Sequence, residues 1–95
     1  MVNTISLLGS TGSIGRQTLN VCREQGIQVA ALTARSSIDL LEEQAQAFRP
    51  RLVAVYDLEP ALELAKRLAG LDIEVAYGLE GLRRAASLPE SEAVV

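Results

Sequence analysis

Gly9-Ser10-Thr11-Gly12-Ser13-Ile14-Gly15 stands between the apolar run Ile5-Ser6-Leu7-Leu8 and a stretch of helical periodicity that opens at Ile14. Strand, glycine-rich turn and helix in that order make a cradle for phosphate. The first backbone N–H groups of a helix lack intrahelical partners and lie at its positive end, so an anion there is stabilised. Glycine lets the chain turn tightly and approach a pyrophosphate closely. The spacing is G-x-x-G-x-x-G rather than G-x-G-x-x-G, which leaves an ordinary strand-to-helix turn as the plain alternative. Three glycines in seven residues, with Ser10, Thr11 and Ser13 between them, favour the cradle.

Working outward, Thr4 to Leu8 reads as a short buried strand. Ser13 is placed to cap the following helix, whose apolar or small face is Ile14, Thr18, Val21 and Cys22, and Gly26 stops it. Ile27 to Thr33 is a second strand, and Ser36 with Asp39 resembles a capping box at the start of the next helix. That helix carries Ile38, Leu41, Ala45 and Phe48 on one stripe and ends at Pro50, before the buried strand Leu52 to Tyr56. Pro60 suits the first position of a third helix with the stripe Ala61, Leu64, Ala65 and Leu68, closed by Gly70. A fourth strand, Ile73 to Tyr77, leads to a weaker helix over residues 78–87 with Leu79, Leu82 and Ala86 inward. Ala93-Val94-Val95 then opens a fifth strand.

The order is βαβαβαβαβ with short connections. This predicts an α/β fold, a Rossmann-like doubly wound and mainly parallel sheet, truncated at the fifth strand. The chain therefore reads as the amino-terminal part of a longer protein; the alternative is a small domain closed by a short edge strand. Hydrophobic residues make up 48% of the 95 and aromatics only 3%, so Val, Leu, Ile and Ala must build the core. That aliphatic bias suits a parallel sheet covered on both faces.

A net charge of −3 argues against a nucleic-acid or anionic-membrane surface. A membrane-crossing helix needs about 20 apolar residues, and no apolar run comes near that length. Cys22 is the single cysteine and reads as a small buried hydrophobe in a reducing, cytoplasmic setting. With no histidine and no paired carboxylates, the chain shows neither a metal site nor an acid–base pair.

In a dinucleotide-binding unit, the end of the second strand selects the nucleotide. An acid there bonds the ribose hydroxyls of NAD and repels the 2′-phosphate of NADP. Here the place is held by Thr33-Ala34-Arg35-Ser36-Ser37, with no acid before Asp39. Arg35 can pair with a 2′-phosphate through its planar fork, and Ser36 and Ser37 can add hydroxyl and backbone donors. Read plainly, Arg35 is a solvated loop charge and Ser37 a helix cap. Beside the glycine turn, the phosphate role is preferred, and NADPH is the expected cofactor. Two other readings stay open: a stand-alone NADP-binding sensor module, and the cofactor domain of another NADP-dependent reductase.

The strings from Ile5 to Gly15, then Thr18-Leu19, Val29-Ala30-Ala31-Leu32, Phe48-Arg49-Pro50 and Tyr77-Gly78-Leu79-Glu80-Gly81-Leu82 resemble the start of 1-deoxy-D-xylulose 5-phosphate reductoisomerases. The resemblance runs the length of the chain but covers about the first quarter of such an enzyme. It implies an NADPH-dependent enzyme of the non-mevalonate isoprenoid pathway. That enzyme rearranges and reduces its sugar-phosphate substrate to 2-C-methyl-D-erythritol 4-phosphate with a divalent metal, Mg or Mn, and is a homodimer at full length. With Gly9 of the turn, the implied cofactor contacts fall on Thr11, Gly12, Ser13 and Ile14, and on Arg35, Ser36 and Ser37. The second set departs from the family's usual glycine, basic residue and asparagine, and shifts the charge by one position. The catalytic and metal residues implied by the resemblance lie beyond Val95.

Overall fold

Aliphatic runs alternating with amphipathic stretches fold, in the computed structural model, into five strands and four helices; the structure describes residues 2–95. The elements are β1 (Thr4–Leu7), α1 (Ser13–Gln25), β2 (Gln28–Ala34), α2 (Ile38–Phe48), β3 (Leu52–Val55), α3 (Leu58–Arg67), β4 (Glu74–Tyr77), α4 (Gly78–Ala86) and β5 (Ala93–Val94). The strands form one parallel sheet in the order β4-β3-β2-β1-β5. The expected α/β architecture is therefore the observed one.

The chain steps outward from β1 to β4, then returns across the sheet to place β5 on the far side of β1. This reversal divides the helices between the two faces. Leu19 and Cys22 of α1, Leu41 and Ala45 of α2, and Ala61 and Leu64 of α3 join one aliphatic core with Leu7, Leu32, Val53 and Val55. On the other face, α4 packs Leu82 and Ala85 on Ala31, Leu52, Ala54 and Ala76. The floor beneath α4 is nearly all methyl groups, so the helix comes down close. A Cβ added at Gly81 would lie 3.1 Å from the Ala76 side chain and 3.5 Å from that of Ala54.

A bulge interrupts β2. Ile5 is opposite Val29 but Ser6 is opposite Ala31, which leaves Ala30 as the extra residue. Val29 and Leu32 consequently share the larger core, while Ala31 turns towards α4. At the other side of β1, the buried Ser6 hydroxyl pairs with that of Ser91 and ties the strand to the segment entering β5.

Several local expectations are corrected. Gly12, not Ser13, is the N-cap of α1, and no side chain caps it. The buried face of that helix is Gly15, Leu19 and Cys22, with Ile14 76% and Val21 52% exposed. Only the face carrying Gly15 can lie against the preceding turn, and that backbone contact fixes the helix rotation. The Ser36–Asp39 capping box does not form: Ser37 is the N-cap of α2, without a side-chain bond, and Asp39 reaches Arg67 of α3 at 2.7 Å. Helix α3 starts at Leu58 behind Asp57, so Pro60 is its third residue, still within the turn whose N–H groups are unpaired. It ends at Arg67 before Gly70, and Ala65 faces solvent. Leu79 is exposed, and Gly81 and Ala85 are the buried residues of α4.

Cys22 is buried as expected, at 2% exposure, and burial pushes its thiol pKa up. Thiolate is the reactive form, so both effects slow alkylation. Iodoacetamide at neutral pH is expected to spare the native chain and to label Cys22 once denaturant unfolds it. Rapid labelling of the native chain would contradict this packing.

Candidate functional site

In a parallel sheet joined by helices, every helix begins at the carboxyl edge of the strands. Ligands bind there, at the point where the strand order reverses. Here that point is β1, with β2 on one side and β5 on the other. The glycine turn leaves β1 at this place. Gly9 adopts a left-handed conformation, φ +71°, which turns the chain sharply off the strand. Its carbonyl accepts the Gly12 N–H at 3.3 Å, and the Gly12 carbonyl accepts that of Arg16 at 2.9 Å as α1 begins.

Three bonds fix the turn to β2. The Gly9 N–H donates to Thr33 Oγ1 at 2.8 Å, the Ser10 N–H to the Thr33 carbonyl at 2.9 Å, and the Ser10 hydroxyl reaches that carbonyl at 3.3 Å. A fourth element joins from α2. Gln44, 7% exposed, accepts the Ser10 hydroxyl at 2.7 Å and returns its amide N–H to the Ser10 carbonyl at 2.9 Å. The turn is thus held in place by β2 and α2 before any ligand arrives.

Gly12, Ser13 and Ile14 stand exposed at the mouth of α1, with Thr11 half-buried behind them. The first turn of α1 contains no acid and has no side-chain cap. Its N–H groups and positive end are therefore available to an anion. Arg35, Ser36 and Ser37 follow β2 at the same edge of the sheet, all exposed, and lead into the start of α2. Among the described residues no ion pair involves Arg35, whose guanidinium offers five donors in a fixed fork.

A recess of about 340 Å³ opens over the ends of β1, β2 and β3, lined by Gly9, Thr33, Ala34, Arg35, Tyr56 and Leu82. It brings Gly9 and Arg35 together. Thr11, Gly12, Ser13, Ile14, Ser36 and Ser37 lie outside its lining. Ser13 instead borders a groove of about 480 Å³ between α1 and α2, along Arg16, Asn20, Leu40 and Glu43. That groove opens on the flanks of the helices, away from the strand ends, and does not have the placement of a nucleotide site.

The fold and this edge have counterparts among known proteins. The family model for 1-deoxy-D-xylulose 5-phosphate reductoisomerase matches residues 5–95. The chain belongs to that family. The reductoisomerase of Ruminiclostridium cellulolyticum is 50% identical over the whole chain, which spans 25% of that relative. That of Acetivibrio thermocellus is 54% identical over 93% of the chain and 23% of the relative. The solved structure of the Zymomonas mobilis reductoisomerase in complex with NADPH is 32% identical, with a TM-score of 0.85 over 93% of this chain and 24% of that one. A reductoisomerase crystallised with magnesium superposes with a TM-score of 0.91 at 32% identity, over 99% of this chain and 24% of that one. The chain thus spans about a quarter of the length of these reductoisomerases.

Four residues at this edge go beyond those the sequence points to: Thr33 and Gln44 as locks of the turn, and Tyr56 and Leu82 as walls of the recess. Gln44 carried a signal, since it falls between Leu41 and Ala45 on the inward stripe of α2, where a polar residue must find a buried partner. Among the described residues no three His, Cys, Asp or Glu side chains gather in a metal-binding group, and no helix is long and apolar enough to cross a membrane.

Proposed function

We propose that these residues form the NADPH-binding amino-terminal domain of a reductoisomerase that converts 1-deoxy-D-xylulose 5-phosphate to 2-C-methyl-D-erythritol 4-phosphate. The observation that carries the reading is the pairing of an uncapped, acid-free helix mouth with Arg35 after the neighbouring strand, which makes no ion pair among the described residues. The residues fit the cofactor. The mouth at Gly12 is uncrowded: even a Cβ there would approach only the Gly9 carbonyl, at 3.7 Å. In this reading Thr11, Ser13 and Ile14 donate to the pyrophosphate, Gly9 and Gly12 let the backbone lie close to it, and Arg35, Ser36 and Ser37 hold the 2′-phosphate. NADPH, when bound, supplies the hydride. The chain's own part is to fix the turn through Thr33 and Gln44 and to orient the adenosine end.

One reductoisomerase relative is crystallised in complex with magnesium; the described residues of this chain supply no cluster of His, Cys, Asp and Glu to hold such an ion. For the full-length enzyme we place the reaction in the cytoplasm and in a homodimer, on the strength of the family resemblance.

Titration of the chain with NADPH and NADH tests the reading. NADPH is expected to bind the more tightly. Arg35→Ala should weaken NADPH about tenfold, within the range for a lost charge-assisted hydrogen bond, and leave NADH within about twofold. Equal affinity of the native chain for both cofactors would overturn it.

A further inference from the structure

Arg35 and Tyr56 occupy matching positions one residue past neighbouring strands. Ala34 of β2 is opposite Val55 of β3, so the next residue on each strand shares one face of the sheet. The backbone of both is fixed. The Tyr56 N–H donates to the Ala34 carbonyl at 3.0 Å, Asp57 donates to the Arg35 carbonyl at 3.1 Å, and Gly78 donates to the Tyr56 carbonyl at 3.1 Å. Rigid ends bring the side chains together. The Arg35 guanidinium carbon lies over the Tyr56 ring, 5.7 Å from its centroid, and both residues line the recess with Gly9 and Leu82. Tyr56 is 45% exposed, so no core packing requires an aromatic ring there.

A ring face attracts a cation without consuming its in-plane N–H donors. A carboxylate in the same place would occupy those donors and oppose an incoming phosphate. A long arginine left alone on a loop would lose rotamer freedom when it ordered on a ligand, at a cost to affinity. The ring removes part of that cost in advance. Resting on the NADPH reading above, we propose that Tyr56 is a positioning residue for 2′-phosphate recognition: it holds Arg35 over the recess with its donors free. Discrimination between NADPH and NADH therefore depends on an aromatic side chain at position 56.

The test is the NADPH-to-NADH affinity ratio of the chain, measured by calorimetry or cofactor fluorescence for the native sequence, Tyr56→Leu and Tyr56→Phe. Tyr56→Leu should lower the ratio about two- to fivefold, the range for an exposed cation–π pair, by weakening NADPH while NADH stays unchanged. Tyr56→Phe should keep the native ratio. A native ratio lowered by neither variant overturns the positioning role and leaves the NADPH reading standing. An equal loss for both cofactors in Tyr56→Leu also overturns it, since that marks a general packing role. A native chain without preference for NADPH overturns both together.

Discussion

Gly15→Ala should lower the melting temperature by about 10 °C or more, the largest single effect expected from one methyl group anywhere in this chain. The third glycine of the turn lies where α1 meets the strand-to-helix loop. A Cβ at this position would overlap the Gly9 carbonyl oxygen and sit 2.7 Å from the Ser10 Cα and 2.8 Å from the Ser10 carbonyl carbon. All three are backbone atoms, and Ser10 is itself fixed by Thr33 and Gln44. None can swing aside like the tip of a flexible side chain. Alanine is the better helix former by about 1 kcal/mol, but overpacking of this severity costs about 3 kcal/mol or more. The clash wins. Gly12→Ala is the control: its Cβ has room, and replacing a glycine N-cap with alanine costs about 1 kcal/mol or less. Thermal unfolding of the two variants side by side checks the claim. A Gly15→Ala chain as stable as Gly12→Ala would show that the turn can shift.

Gln44→Leu should destabilise the chain by about 2 kcal/mol although leucine is the more hydrophobic residue. Removal of the amide strands the Ser10 carbonyl and takes one acceptor from the Ser10 hydroxyl, in a place closed to water. An unsatisfied buried polar group costs about 1–3 kcal/mol. The Ser10 hydroxyl keeps its longer contact to the Thr33 carbonyl at 3.3 Å, so the carbonyl bears most of the loss. Adding Ser10→Ala to Gln44→Leu should therefore recover only a small part of the stability. Urea unfolding with an unchanged slope gives the comparison directly. If Gln44→Leu unfolds at the native midpoint, the Gln44 bonds contribute nothing to holding the turn.

The two predictions also separate what could be read in the sequence from what could not. The element order, the parallel sheet and the position of the glycine turn follow from patterns that are local in the chain: aliphatic runs, stripes of period 3.6 and stop signals such as Gly26 and Pro50. Helix rotation was less legible. Ile14 and Val21 look like core residues by hydrophobicity, yet they are exposed because a backbone contact at Gly15, invisible to an apolar count, turns α1. Capping escapes a local reading for the same kind of reason. Ser13 and Ser36 are good caps by composition, but the turn geometry gives that role to Gly12, and the rival attraction of Arg67 draws Asp39 away. The locks on the turn are not local at all. Ser10 meets Thr33 and Gln44 from 23 and 34 positions away, and Arg35 meets Tyr56 across two strands. Only the folded sheet brings them into register.

The alanines under α4 act on a recess whose lining does not include them. Ala54 and Ala76 act as thin shims between helix and sheet, and Gly81 rests almost on them. Leu82, the next residue, forms a wall of the recess that also contains Arg35 and Tyr56. The height of that wall above the strand ends is set by layer thickness rather than by any residue lining the cavity. One additional methyl on the shims would raise α4, carry Leu82 with it and widen the mouth of the recess.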